Sequence, residues 1–286
     1  MYKKLRHAWP FLLPGLAGLL VFYIIPFVGG IWYSVTDGSF ENKFVGLDNY
    51  ISVGNNQMFQ LGLRNTMELS IICAPLLFIL AFVLAAGLHR IRPAGGFFRS
   101  SVLMPYLMPS SAILIIWLLW FDFGGPVNRI LTLLGGNRIN WLEGSELRIP
   151  VVLMFLWKNL GFCLVIFLSA LQSIPESLYE YATLEGASFM KQTFRITLPL
   201  VIPSAFLVVI LSFVSAFRIF KEVFFIAGAY PKDPLYTLQN YMNNRYGKLN
   251  YQDVTTAAYI FAAIVFVLFG LLFLSQRRAL KRLGGD

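Results

Sequence analysis

Charge is scarce in this 286-residue chain: Asp, Glu, Lys and Arg make up only 13% of it, against about 25% in a soluble domain. So little polar surface cannot clothe a water-facing globule, which excludes an ordinary cytosolic enzyme and a disordered chain alike. Cysteine is nearly missing. Cys73 and Cys163 both fall inside apolar runs, with neither metal-ligand spacing nor a disulfide framework, and read as small hydrophobes. The two histidines, His7 and His89, flank apolar segments and lack a second ligand or a nucleophile at useful spacing. No G-x-x-x-x-G-K-[ST] phosphate loop occurs, so any nucleoside triphosphate must be handled by another chain. The chain has no catalytic constellation and is expected not to be an enzyme, and it binds no cofactor or metal of its own. What remains is abundant: 57% hydrophobic residues, 27 of them Phe, gathered in repeated runs of about 20, long enough to cross a bilayer as helices.

Six such runs are predicted, at 9–33, 66–88, 102–121, 150–171, 200–220 and 254–275. The loops between them are too short for a globular domain, so residues 1–286 are expected to form one all-α, polytopic membrane domain. The first run follows Lys3, Lys4 and Arg6 as a secretory signal would, but continues past Pro14, Gly18 and Pro26 with no small-residue cleavage site, and is read as a retained span. An even number of spans puts both termini on one side. The two tails and the 89–100 and 172–199 loops hold 12 basic against four acidic residues, while all the rest of the chain is nearly balanced. Because Lys and Arg are retained in the cytoplasm during insertion, both termini and the 172–199 loop are placed there. The same rule accounts for the clusters Arg90, Arg92, Arg99 and Arg277, Arg278, Lys281, Arg282 with contact to membrane lipid and no role for nucleic acid.

The 172–199 loop carries the most information. Ser173 and Glu176, three apart with Pro175 between, have the spacing of a capping box. The helix so begun should run through Leu178, Ala182 and Glu185 and stop at Gly186, and a second stretch from Ala187 should lead into Ile196, Leu198 and Pro199 at the mouth of the fifth span. A helix lying on the inner leaflet would favour basic side chains, yet this one offers Glu176, Glu180 and Glu185. Docking to a protein fits its charge better, with the small Ala182 and Gly186 permitting close backbone approach.

Glu180-Tyr181-Ala182, Gly186 and Ile196-Thr197-Leu198-Pro199 resemble the EAA signature of binding-protein-dependent ABC importer permeases in every offset, with Tyr181 standing where the second Ala is usual. Phe44 to Tyr50, Arg64-Asn65-Thr66 and Leu171 to Pro175 are similar to the carbohydrate, MalF/UgpA-like branch of that family, so the resemblance covers nearly the whole chain. It implies the type I (MetI-like/MalF-like) permease core in the bacterial plasma membrane. It also implies that the chain serves as one subunit of an importer translocating an oligosaccharide or related sugar compound by alternating access. The implied partners are a second homologous permease subunit, two ATP-binding subunits that use ATP and Mg, and an extracellular solute-binding protein. The loop would then be a coupling helix, with Glu180, Tyr181, Ala182, Glu185, Gly186 and Ala187 at the ATPase contact and Ile196, Leu198 and Pro199 fixing it to the fifth span.

A sugar path needs hydroxyl and amide groups beside aromatic faces. Asn159, Ser212, Ser215 and Arg218 provide them near Trp157, Phe213 and Phe217, and the resemblance adds Phe155, Phe162 and Ile219 as positions lining the path. Helix packing is the competing role for each. Arg218 and Lys221 depart from the uncharged residue and Asp frequent in relatives; they suit an acidic substrate, or else pair with Glu222, the four-residue offset favouring Arg218. Glu68 and Asp122 are expected near the membrane interface. Residues 221–253 form an outer stretch expected to meet the binding protein or gate access. The alternative function, a secondary transporter or channel working without ATPases, would call for symmetric broken-helix repeats or buried coupling-ion carboxylates, which the sequence does not show clearly.

Overall fold

The computed structural model describes residues 2–39, 41–90 and 95–282. The basic residues Lys3, Lys4, Arg6, Arg90, Arg92, Arg99 and Arg282, with His7 and Asp286, have side chains outside the described set. Helix dominates, and among the described residues the only β pairing is an isolated bridge between Thr36 and Phe44. Six helical stretches are long and apolar enough to cross a membrane: Phe11–Ser34, Gln57–His89, Ser110–Leu133, Gly144–Gln172, Ile202–Ala227 and Tyr251–Arg278. Each overlaps one of the six expected runs, the third only over 110–121.

Contacts along the chain separate two compact units, Met1–Gln60 with Tyr241–Phe266, and Leu61–Asn240 with Val267–Asp286. In the smaller unit the first span has a π-helical turn at Leu20–Ile24 immediately ahead of Pro26. Widening the helix there relieves the clash between the proline ring and the carbonyl four residues back, at Phe22. The span's last turn is closed by residues that follow it. Asn49 Nδ2 donates to the carbonyls of Ser34 (3.1 Å) and Thr36 (2.8 Å), and the Ser34 and Tyr50 hydroxyls lie 2.8 Å apart. The Phe44 to Tyr50 segment is thus a C-terminal cap, turned into place by Gly46 at φ +62. The sixth span lies against the first in this unit through the Tyr259 hydroxyl on the Phe27 carbonyl and an edge contact of their rings at 5.2 Å.

The larger unit is built around the fourth span, half of whose most apolar stretch is buried. Leu69, Cys73, Leu77, Ala81 and Ala85, every fourth residue of the second span, form a buried stripe that shares a core with Phe155, Leu164, Phe167 and Leu171 of the fourth. Phe78 and Phe82 close on Phe167 at 5.3 and 5.4 Å. Cys73 and Cys163 are free and buried, as the sequence implied. The fourth span meets the third closely: a Cβ at Gly161 would stand 1.9 Å from the Val102 carbonyl oxygen.

Two spans are interrupted. The third was expected to be continuous over 102–121 but consists of Gly95–Leu107 and Ser110–Phe121, separated at Pro109, whose ψ is 135. Continuing the helix would drive the Pro109 ring into the Pro105 carbonyl. The fifth consists of Ile202–Phe217 and Phe220–Ala227. At this second break the amides of Arg218 and Ile219 reach back only three residues, to the Ser215 (3.0 Å) and Ala216 (3.2 Å) carbonyls.

Candidate functional site

The loop between the fourth and fifth spans is a helix, a turn and a shorter helix. The fourth span continues to Gln172, and Ser173 therefore closes its end, its hydroxyl donating to the Ala170 carbonyl at 2.7 Å. This corrects the capping-box reading. Ser173 serves the helix behind it, whose last carbonyls lack partners, and the loop helix Glu176–Leu184 starts after Pro175 instead. Its far end follows the sequence closely. Gly186 adopts φ +68, with its amide on the Thr183 carbonyl (3.0 Å) and the Ala187 amide on the Ala182 carbonyl (2.9 Å). These are the two bonds of a Schellman closure, which needs a left-handed residue and so favours glycine.

The second half of the loop is fastened to the first. Ser188 caps the short helix Phe189–Gln192. Gln192 Nε2 donates to the Thr183 hydroxyl and the Ala187 carbonyl, each at 3.0 Å. The Tyr179 hydroxyl lies 3.0 Å from that of Thr197, inside a π turn at Thr193–Thr197. That turn stands two residues before Pro199, the same offset as between the first-span π turn and Pro26. Glu180, Tyr181, Glu185 and Gly186 are exposed, Leu184 is 84% exposed, and Ala182, Ala187, Ile196, Leu198 and Pro199 are half-buried. The result is a rigid, solvent-facing projection with an acidic and apolar tip.

Between the spans, the residues named for a substrate path are distributed unequally. Phe155, Ser212 and Ile219 are buried within the larger unit, and the Ser212 hydroxyl approaches Cys163 Sγ at 3.9 Å across the fourth and fifth spans. Asn159 is half-buried and donates to the Phe155 carbonyl at 2.8 Å. Phe162 is half-buried and stacks on Tyr106 at 4.8 Å. Ser215 is half-buried and Arg218 exposed.

The pairing of Glu222 with Arg218 or Lys221, one of the two roles left open for these residues, gives way to another. Glu222 Oε1 accepts from Lys158 Nζ at 2.8 Å, with the side chains 7% and 16% exposed, and the same ammonium donates to the Ser110 hydroxyl. The helix break at Arg218 and Ile219 removes the shared face that a four-residue spacing assumes. Ser110 opens the second segment of the third span and Glu222 lies in the second segment of the fifth, so Lys158 ties both segments to the fourth. Local periodicity gives no sign of this link, since its partners stand 48 and 64 residues apart.

A second polar assembly holds the stretch after the fifth span. Arg148 donates through Nε to the Pro234 carbonyl (2.7 Å), through Nη1 to Glu68 (3.1 Å) and through Nη2 to Asn65 Oδ1 (2.8 Å). Asn65 Nδ2 in turn reaches the Asp233 (2.5 Å) and Tyr236 (2.9 Å) carbonyls, and the Leu238 amide donates to the Thr66 hydroxyl at 2.9 Å. The Arg64-Asn65-Thr66 sequence is therefore a clamp on residues 233–238, with Arg64 pairing Glu68 at 2.7 Å. Asp122 accepts the Gly124 amide in a turn after the Ser110–Phe121 helix.

Comparison with known proteins agrees with this architecture. The family profile described as binding-protein-dependent transport system inner membrane component matches residues 78–283. The chain is 33% identical over 236 residues to the trehalose/maltose transport system permease protein MalF of Thermococcus litoralis, covering 80% of each. It is 29% identical over 209 residues to the sn-glycerol-3-phosphate transport system permease protein UgpA of Yersinia pestis, covering 72% of this chain and 71% of that one. Among solved structures, a chain of a bacterial ABC transporter involved in import of the acidic polysaccharide alginate superimposes with a TM-score of 0.81 at 23% identity, over 97% of this chain and 98% of that one. The same transporter type in complex with an alginate pentasaccharide-bound periplasmic protein gives 0.79 at 22% identity, over 99% and 98%. With a match over more than two thirds of its length and the fold in agreement, this chain belongs to the family of binding-protein-dependent transport system inner membrane components.

Proposed function

We propose that the chain is one permease subunit of an ABC importer for a carbohydrate or related sugar compound, working by alternating access driven by ATPases on separate chains. The observation that carries this reading is the projecting loop. A helix ended by a left-handed glycine and braced by Gln192 presents Tyr181, Leu184, Glu180 and Glu185 as a firm tip. Such a tip suits insertion into a cleft of a partner, and its carboxylates suit basic groups at the rim. Two ATP-binding subunits would receive it on the cytoplasmic side, where both termini would also lie. The first span supports a second permease subunit, since its most apolar stretch has no burial within the chain and is left for lipid or a neighbouring helix. The relatives, a trehalose/maltose permease and an sn-glycerol-3-phosphate permease, support a sugar or sugar-like cargo.

The test is coupling. Gly186→Pro forbids the left-handed turn outright, and Glu180→Lys reverses charge on the exposed tip. In the assembled transporter both should abolish binding-protein-stimulated ATP hydrolysis and uptake while membrane insertion is unchanged. Unimpaired uptake by both variants overturns the assignment.

A further inference from the structure

The charges placed deep in the spans bear on what kind of sugar passes. Five or more residues from their ends, the fourth and fifth spans contain four charged side chains, Lys158, Arg218, Lys221 and Glu222. The one carboxylate is already engaged, held by Lys158 at 2.8 Å in a largely buried pair. Arg218 and Lys221 are therefore left as a net charge of two, with no ion pair to an acid among the described residues, and both are exposed.

Arg218 stands nine residues from the outer end of its span, roughly 14 Å of helix, well inside a hydrocarbon layer about 30 Å thick. A guanidinium at that depth does not face lipid; it faces water or protein. The backbone gives an independent sign. The helix is broken at Arg218 and Ile219, and irregular backbone at membrane depth persists where it lines a wet cavity or is buried in protein. The half-buried Ser215 and the partly exposed Phe217 and Phe220 beside the break add a hydroxyl and ring faces.

We propose that Arg218 and Lys221 form an anion-selecting subsite on the translocation path, for a saccharide bearing a carboxylate or phosphate substituent. The inference rests on the importer reading and narrows its substrate class. The Arg fork takes two oxygens of such a group side by side, and Lys adds a point charge. The Lys158 link contributes by withdrawing Glu222, since a carboxylate free to pair with Arg218 would cancel one of the two cations and repel the cargo.

The test uses the complex of both permease subunits and the ATPases, purified without the binding protein, and reads its thermal unfolding with digalacturonate, glucose 6-phosphate or maltose at millimolar concentration. Digalacturonate or glucose 6-phosphate should raise the midpoint and maltose should not, the active anion identifying the substituent. The double substitution Arg218→Gln with Lys221→Gln should shift the half-saturating concentration upward by at least about tenfold, one factor of ten in affinity, and Arg218→Lys should retain part of the effect. No shift with either anion overturns the proposal. So does an equal shift with maltose, or an anion effect that survives the double substitution. Loss of the partner permease from the Arg218→Gln complex would assign Arg218 to a carboxylate of that partner, which also overturns it. Adding the native binding protein separates the two levels: stimulated ATP hydrolysis with silent anions defeats only the subsite, and no stimulation defeats the importer reading itself.

Discussion

The link between Lys158 and Glu222 makes a prediction whose sign differs between one substitution and two. Lys158→Met leaves a carboxylate that is 7% exposed without its cation, and also removes the donor to Ser110. Stranding one member of a buried pair costs about 3–5 kcal/mol, whereas replacing both by apolar groups of similar volume is close to neutral because two desolvation penalties vanish together. Lys158→Met and Glu222→Met should each lower the unfolding midpoint of the detergent-purified protein by about 6–20 °C, taking roughly 2–4 °C per kcal/mol. The double substitution should recover most of that loss. The four proteins form a thermodynamic cycle, and the expected interaction energy is about 3 kcal/mol or more. Additive losses, with an interaction within about 0.5 kcal/mol of zero, would show that the ammonium and the carboxylate do not depend on each other. A fall for Arg218→Gln as deep as that for Lys158→Met would assign the carboxylate to Arg218 instead.

Gly161→Ala places a methyl 1.9 Å from the Val102 carbonyl, a contact relieved only by separating two helices; it should sharply reduce the amount of folded protein recovered, while Gly87→Ala, whose new methyl meets nothing within 4 Å, should not. In the Asp37 loop, the hydrogen bonds from the Ser39 hydroxyl and amide hold the carboxyl below its ordinary value, with Lys43 contributing less. A depressed carboxylate stabilises above its unfolded pKa, so order in this loop should be full above about pH 4 and fade as the pH falls through the lowered native value; hydrogen exchange at the Ser39 and Lys43 amides reads this, and exchange that is flat down through that range refutes it.

The six spans were readable because an apolar run of about 20 residues has few other uses. The loop geometry was readable because a left-handed turn demands glycine at one position and leaves the mark there, at Gly186. Other features left weaker marks. Hydropathy is blind to backbone continuity, so the third span read as unbroken although the helix stops at Leu107 and restarts after Pro109. Ser173 satisfied a spacing rule for starting one helix but sits where another ends; the rule does not say which helix has carbonyls to spare. Glu222 was assigned a neighbour because helical periodicity looks only a turn ahead, and a break at Arg218 directs it to a residue 64 positions away. The Arg64-Asn65-Thr66 sequence was recognisable as a motif, yet its work on the Asp233 and Tyr236 carbonyls depends on contacts about 170 residues distant, which no local pattern encodes.

The bracing of the 172–199 loop by Gln192 and by the Tyr179 and Thr197 hydroxyls separates shape from surface chemistry. Exchanging Tyr181 or Leu184 repaints the tip and leaves the frame standing. Inserting a single residue between Gly186 and Gln192 would put the brace out of register and redirect the tip. If the loop docks on an ATPase as proposed, exchange of that partner should accordingly tolerate many side-chain differences in this loop and almost no difference in its length.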